Sequence, residues 1–136
     1  MYSFKGIGLA AVQIGILKRV IVVDVSSNKE KTNPISLINP VITNWSTQTT
    51  VYEEGCLSIP DTFLEIERPK ICEVEYIDTF GKVKILRCDG LLSTCIQHEI
   101  NHLDGKLIID HLSKLKRDLI VKKISKSKTK LDRVVV

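Results

Sequence analysis

No apolar run in the chain is long enough to cross a bilayer, which excludes a helical membrane protein. The first residues, MYSFKGIGLAAVQIG, lack both the basic start and the small-residue cleavage site of a secretory signal. None of the four cysteines (Cys56, Cys72, Cys88, Cys95) stands in a C-x-x-C pair, which with the missing signal points to reduced thiols in a cytoplasmic protein. Internal repeats and low-complexity domains are also absent. What remains is a chain of 136 residues, 43% hydrophobic and 26% charged, the ordinary balance of one globular domain, residues 1–136.

Charge is unevenly spread. Between Leu112 and Arg133, nine Lys or Arg face only Asp118 and Asp132, so this segment carries +7 of a net +4 and the rest carries −3. Residues 19–25, RVIVVDV, read as a strand buried on both faces, and 35–43 as a second strand with a bulge or edge at Pro40. SSNKEKTNP between them reads as a solvated loop, and 44–55 as polar and irregular. Ile71–Ile77 and Lys82–Arg87 form a hairpin around Asp78–Gly81. Symmetric closure sets Glu75 opposite Lys84. From Leu91 the apolar period becomes helical, with Asp89 as N-cap and Gly105 as stop. A last helix starts near Ser113, with Leu115, Leu119, Ile120 and Ile124 on one stripe and SKSKTK (125–130) fraying. The fold class is α+β: antiparallel strands around one buried helix, with a basic C-terminal helix and tail over 112–136.

Within the buried helix lies His98-Glu99-Ile100-Asn101-His102. Positions four apart differ by about 40° in azimuth, so both imidazoles reach one cation, while Glu99, about 100° away from His98, reaches a water on it instead. A catalytic metal site takes a third protein ligand and leaves one position open. Cys56, His111, Asp104, Glu53 and Glu54 are the candidates. Asp104 is too near His102 to swing back, and His111 follows a segment that reads as structure. Cys56 is best placed, because Gly55 permits close backbone approach and a cation stabilises a thiolate. Cys72, Cys88 and Cys95 read as core residues.

Three segments in order carry a resemblance: Gly6-Ile7-Gly8-Leu9-Ala10-Ala11-Val12-Gln13, Glu54-Gly55-Cys56-Leu57-Ser58, and Gln97-His98-Glu99-Ile100-Asn101-His102-Leu103-Asp104-Gly105. The set resembles the peptide deformylases over almost the whole chain. That resemblance implies a hydrolase removing the formyl group from the initiator methionine of nascent polypeptides. Cys56, His98 and His102 would be the metal ligands and Glu99 the proton carrier. The Gln13 amide and the Leu57 backbone N–H would stabilise the oxyanion. Gly8 would offer backbone to the substrate, and Ile7, Leu91 and Cys95 would line the methionine pocket. Fe(II) is the implied cofactor, with Zn(II), Ni(II) or Co(II) as substitutes. The implied partners are an N-formylmethionyl nascent chain and, through the basic helix, the ribosome; the protein is expected to be monomeric.

Family members carry a strand and a helix ahead of the first motif, whereas Met1 here stands five residues before Gly6. The expectation is an N-terminally short member with exposed apolar surface and weaker support for the Gly6–Gln13 loop. A misplaced start, a decayed gene copy and a compact variant all fit. The competing functions are a weakly active or inactive relative that keeps the metal site, and a zincin-type zinc metalloprotease.

Overall fold

Alternating side chains build the sheet. Cys72, Val74 and Tyr76 point into the core from β6 (Ile71–Ile77), and Ile21 and Val23 from β2 (Val20–Val23). The computed structural model describes residues 1–27 and 30–134, with side chains through Ser127. Positions 28 and 29 of the expected solvated loop, and the last two of the expected tail, lie outside the described residues. The remaining strands are β1 (Gly8–Ala10), β3 (Ile35–Trp45), β4 (Thr49–Cys56), β5 (Ile59–Pro69) and β7 (Val83–Asp89). Two helices follow, α1 (Leu91–Leu103) and α2 (Lys114–Val134). An antiparallel five-stranded sheet runs in the order β1-β2-β3-β6-β7, and β4 and β5 form a separate ribbon.

Helix α1 lies in the middle. Residues Ser93 to Ile100 are all buried, and Cys95, Ile96 and Ile100 close the main core against Ile21, Val23, Leu37, Val74 and Cys88. Burying side chains such as Ile21, Leu37 and Ile96 stabilises the fold by about 1.5–3 kcal/mol each. A second cluster joins Cys56 and Ile59 to Ile108 and Ile109, with Ile120 and Ile124 of α2 packed on it. All four cysteines are buried and free. The first loop is fixed by pairing of Gly8, Leu9 and Ala10 with Val23, Val22 and Ile21. The Tyr2 hydroxyl also donates to Asp24 Oδ2 at 2.6 Å. Around that loop Phe4, Ile14 and Leu17 stand exposed.

The bulge expected at Pro40 is present, as a register shift between Ile38 and Val41 with Asn39 at φ 49°. Several other expectations need correction. Strand β2 is buried on one face only, with Val20 and Val22 half-covered. Residues 44–55 are not irregular: most of them form the end of β3 and β4. In the β6–β7 hairpin Glu75 faces Ile85, and Lys84 faces Tyr76. The turn closes one residue later than expected because the Asp78 carboxylate accepts the N–H groups of Phe80 and Lys82, with Gly81 at φ +79°. Lys84 pairs with Asp78 at 3.1 Å instead. Gly90, not Asp89, caps α1, without a side-chain bond. Helix α2 seats Ile120 and Ile124, whereas Leu115 and Leu119 are exposed. Its backbone stays helical through the segment expected to fray, whose side chains from position 128 lie outside the described residues.

Candidate metal centre

One helical turn separates His98 from His102, and both point toward the β4–β5 ribbon. Pairing there shifts from Gly55↔Phe63 to Cys56↔Ile59, so the chain turns back at Cys56 and delivers its thiol to the helix. Cys56 Sγ lies 3.2 Å from His102 Nε2, which lies 3.2 Å from His98 Nε2. The three donor atoms fall within 4.8 Å of one another, and all three residues are buried. Burial by itself would raise the Cys56 thiol, but hydrogen bonds with His102 and His98 outweigh it and bring it down to about 6. Burial opposes a charged His98, yet its bonds with Cys56 and Glu54 carry it up to about 9. A thiolate and two imidazoles that crowd around shared protons are the donor set a soft divalent cation takes. The residues fit a metal.

A buried network fixes this geometry. His98 Nδ1 lies 2.9 Å from Glu54 Oε1, leaving Nε2 to face the centre. Burial would raise Glu54, but hydrogen bonds from His98 and Arg68 hold it below the usual carboxylate range. Arg68, on β5, grips Glu54 through Nε at 2.7 Å and Nη2 at 3.0 Å, and gives Nη1 to Asn101 Oδ1 at 2.7 Å. Of the other candidate ligands, Glu53 faces outward opposite Glu65, Asp104 pairs with Arg19 at 3.1 Å, and His111 is exposed. Among the described residues only Cys56 joins the two histidines. That geometry removes the downstream ligand a zincin would need.

Glu99 lies beside the cage, buried, with Oε2 lacking any hydrogen-bond partner. Burial is the main cause that lifts its carboxyl to about 7, against the pull of His98 and His102. Gly8 passes so close that an added Cβ would sit 2.7 Å from Glu99 Oε1 and 2.8 Å from Cys95 Sγ. Burial pushes the Cys95 thiol up, and it donates to the Ile7 carbonyl at 3.6 Å. Ile7, Leu57 and Leu91 are each partly exposed, at 38%, 37% and 41%, and so stand outside the core. Gln13 turns its carboxamide toward the same hairpin: Oε1 accepts Ala10 N–H at 2.8 Å, and Nε2 donates to Ser58 Oγ at 3.0 Å and lies 4.0 Å from Cys56 Sγ. Sequence reasoning missed Arg68, Asn101 and any role for the Ser58 hydroxyl. The one available signal for Arg68 was its place on the two-residue period of Leu64 and Ile66, the inward side of β5.

Known proteins resemble this chain over most of its length. Residues 1–118 match the family model described as polypeptide deformylase. The chain is similar to the peptide deformylase of Pelagibacter ubique, 57% identical over the whole chain and 78% of the relative. It also resembles that of Rhizobium meliloti, 51% identical over 93% of this chain and 73% of the relative. Among solved structures, peptide deformylase from Ehrlichia chaffeensis superposes with a TM-score of 0.88 at 38% identity, covering 96% of this chain and 78% of that one. A Synechococcus elongatus peptide deformylase in complex with actinonin gives 0.83 at 45% identity, covering 92% and 68% respectively.

Proposed function

This chain belongs to the polypeptide deformylase family, and we propose how its residues divide the work of removing a formyl group from the N-terminus of nascent peptides. The reaction consumes one water, breaks the formyl C–N bond, and releases formate and a free amine. Cys56, His98 and His102 would hold a cation, a reading supported by the mutual reach of their donor atoms. A bound ion would supply Lewis acidity, which would make water a better nucleophile near neutral pH. Fe(II) is the metal we propose, with Zn(II), Ni(II) or Co(II) as substitutes; the thiolate and imidazoles suit all four.

Glu99 carries the proton. Its unpartnered Oε2 takes a proton from the attacking water and later returns it to the departing amine nitrogen. Burial, which disfavours its charged form, suits this carboxyl to accept a proton and hold it until the amine leaves. Gln13 Nε2 and the Leu57 backbone N–H meet the negative charge that grows on the formyl oxygen. Gly8 presents backbone to the peptide, and Ile7, Leu91 and Cys95 enclose the methionine side chain. Helix α2, with Lys116, Lys122, Lys123 and Lys126 exposed, faces ribosomal RNA where the nascent chain emerges, and the enzyme works in the cytoplasm. No described helix is long and apolar enough to cross a membrane.

One observation carries the reading: a buried cysteine–histidine–histidine cage with an unpartnered carboxylate beside it. The decisive measurement is formate release from a formyl-Met peptide by protein loaded anaerobically with Fe(II). Turnover that disappears on chelation and in Glu99→Gln is the expected result. Metal-loaded protein without turnover would leave the inactive-relative reading standing.

A further inference from the structure

We infer that Ser58 is the positioning residue for the Gln13 carboxamide, aiming its second N–H over the metal cage. The inference rests on the reading of Gln13 as an oxyanion donor. A side-chain amide can rotate by 180° and exchange its oxygen for its nitrogen, so a catalytic amide needs both ends defined. Here the oxygen end is taken by the Ala10 backbone N–H at 2.8 Å, within the short 3-10 turn Ala11–Ile14. The nitrogen end has two hydrogens. One goes to Ser58 Oγ at 3.0 Å. The other is left on the side of Cys56, whose sulfur lies 4.0 Å away, too far for a firm bond. An N–H held there without a strong partner is what a developing oxyanion requires.

Ser58 can do this because of where the ribbon turns. It is two residues past Cys56, at the tip between β4 and β5. The serine is thereby held near Cys56 by the short stretch of chain between them and joined to Gln13 through its side chain. The same tip docks on the first loop a second time, where Leu57 Cδ1 would lie 2.9 Å from a Cβ placed on Gly6. Loop and tip are 45 residues apart in sequence, and the Gln13–Ser58 bond sets their relative position at the reacting atoms. Removing the hydroxyl frees the amide to swing, without touching the cage.

The test is a double-mutant cycle on the metal-loaded protein, with Ser58→Ala, Gln13→Ala and both together. Ser58→Ala should lower kcat about 10- to 100-fold at nearly constant KM, with unchanged metal content and melting temperature. Ser58→Thr, which keeps the hydroxyl, should recover most of the rate. In the Gln13→Ala background the serine substitution should cost less than twofold, because nothing remains for it to aim. Independent losses that multiply in the double variant would overturn the inference, as would metal loss in Ser58→Ala. If Gln13→Ala alone leaves kcat intact, the assignment of Gln13 itself fails, a result distinct from both. Should Ser58→Ala fold poorly, Ser58→Thr and Ser58→Gly supply the same comparison with and without the hydroxyl.

Discussion

Cys56, His98 and His102 differ from Glu99 in what their loss should do. The first three have donor atoms turned on one another, 3.2 Å apart, whereas Glu99 has an oxygen with no partner at all. Cys56→Ala, His98→Ala and His102→Ala should each lose most of the bound metal, as measured by elemental analysis. Glu99→Gln should keep its metal and lose turnover by about a hundredfold or more. Full occupancy in Cys56→Ala would remove the cysteine from the ligand set. Gly8 gives a second prediction at this scale. An alanine there puts a methyl 2.9 Å from Glu99 Cγ and 2.8 Å from Cys95 Sγ, and the buried helix leaves the carboxylate little room to yield. Gly8→Ala should retain stoichiometric metal while kcat falls about a hundredfold, the cost of displacing a catalytic group by about 1 Å. Unimpaired kcat would show that Glu99 can move without consequence.

At the scale of elements, Arg68 joins the β4–β5 ribbon to α1. Its guanidinium is buried and serves Glu54 on β4 and Asn101 on the helix at once. Arg68→Met would leave the buried Glu54 carboxylate with His98 alone as its partner, at a cost of about 3–5 kcal/mol. A large fall in melting temperature is therefore expected, together with metal affinity weakened about 10- to 100-fold as His98 loses its fixed partner. Lysine cannot reproduce a fork that makes three bonds, so Arg68→Lys should repair little of either. A wild-type melt in Arg68→Met would argue that solvent reaches Glu54. This network also explains what the sequence made legible. Helix α1 and its histidines were readable because helical spacing is local: residues four apart must share a face. Cys56 was readable because its glycine and glutamate neighbours are poor company for a core cysteine. Strand β4 was not, since its inward side carries Tyr52, Glu54 and Cys56, and a charged residue among them hides the two-residue period. What neutralises Glu54 is Arg68, 14 residues on, and no local pattern announces a pairing across a ribbon. The β6–β7 register slipped for a related reason: a side chain, Asp78, decides where that turn closes.

Across the whole molecule, charge is sorted by element. The outer face of the β4–β5 ribbon exposes Glu53, Glu65 and Glu67, with Glu53 directly opposite Glu65, while α2 exposes Lys114, Lys116, Lys122, Lys123 and Lys126. Like charges opposed on a ribbon repel, and the lysines from Lys114 to Lys126 outnumber the single Asp118 among them, so folding does not account for either excess. Arg117 is different, because it pairs with Asp110 at 3.0 Å and helps anchor the helix. Ile120 and Ile124 do the rest, packing on the second apolar cluster. Deleting the helix would therefore confuse stability with binding, whereas changing exposed lysines separates them. Lys116, Lys122, Lys123 and Lys126 replaced together by Gln should leave the melting temperature and the turnover of a short formyl-Met peptide unchanged. If α2 meets ribosomal RNA, the same variant should bind ribosomes more weakly. The slope of log affinity against log salt should also flatten by about 0.7–0.9 for each phosphate no longer neutralised, or roughly three in all. An unchanged slope would mean that the lysines only keep the helix in water, and that nascent chains reach the cage by diffusion alone.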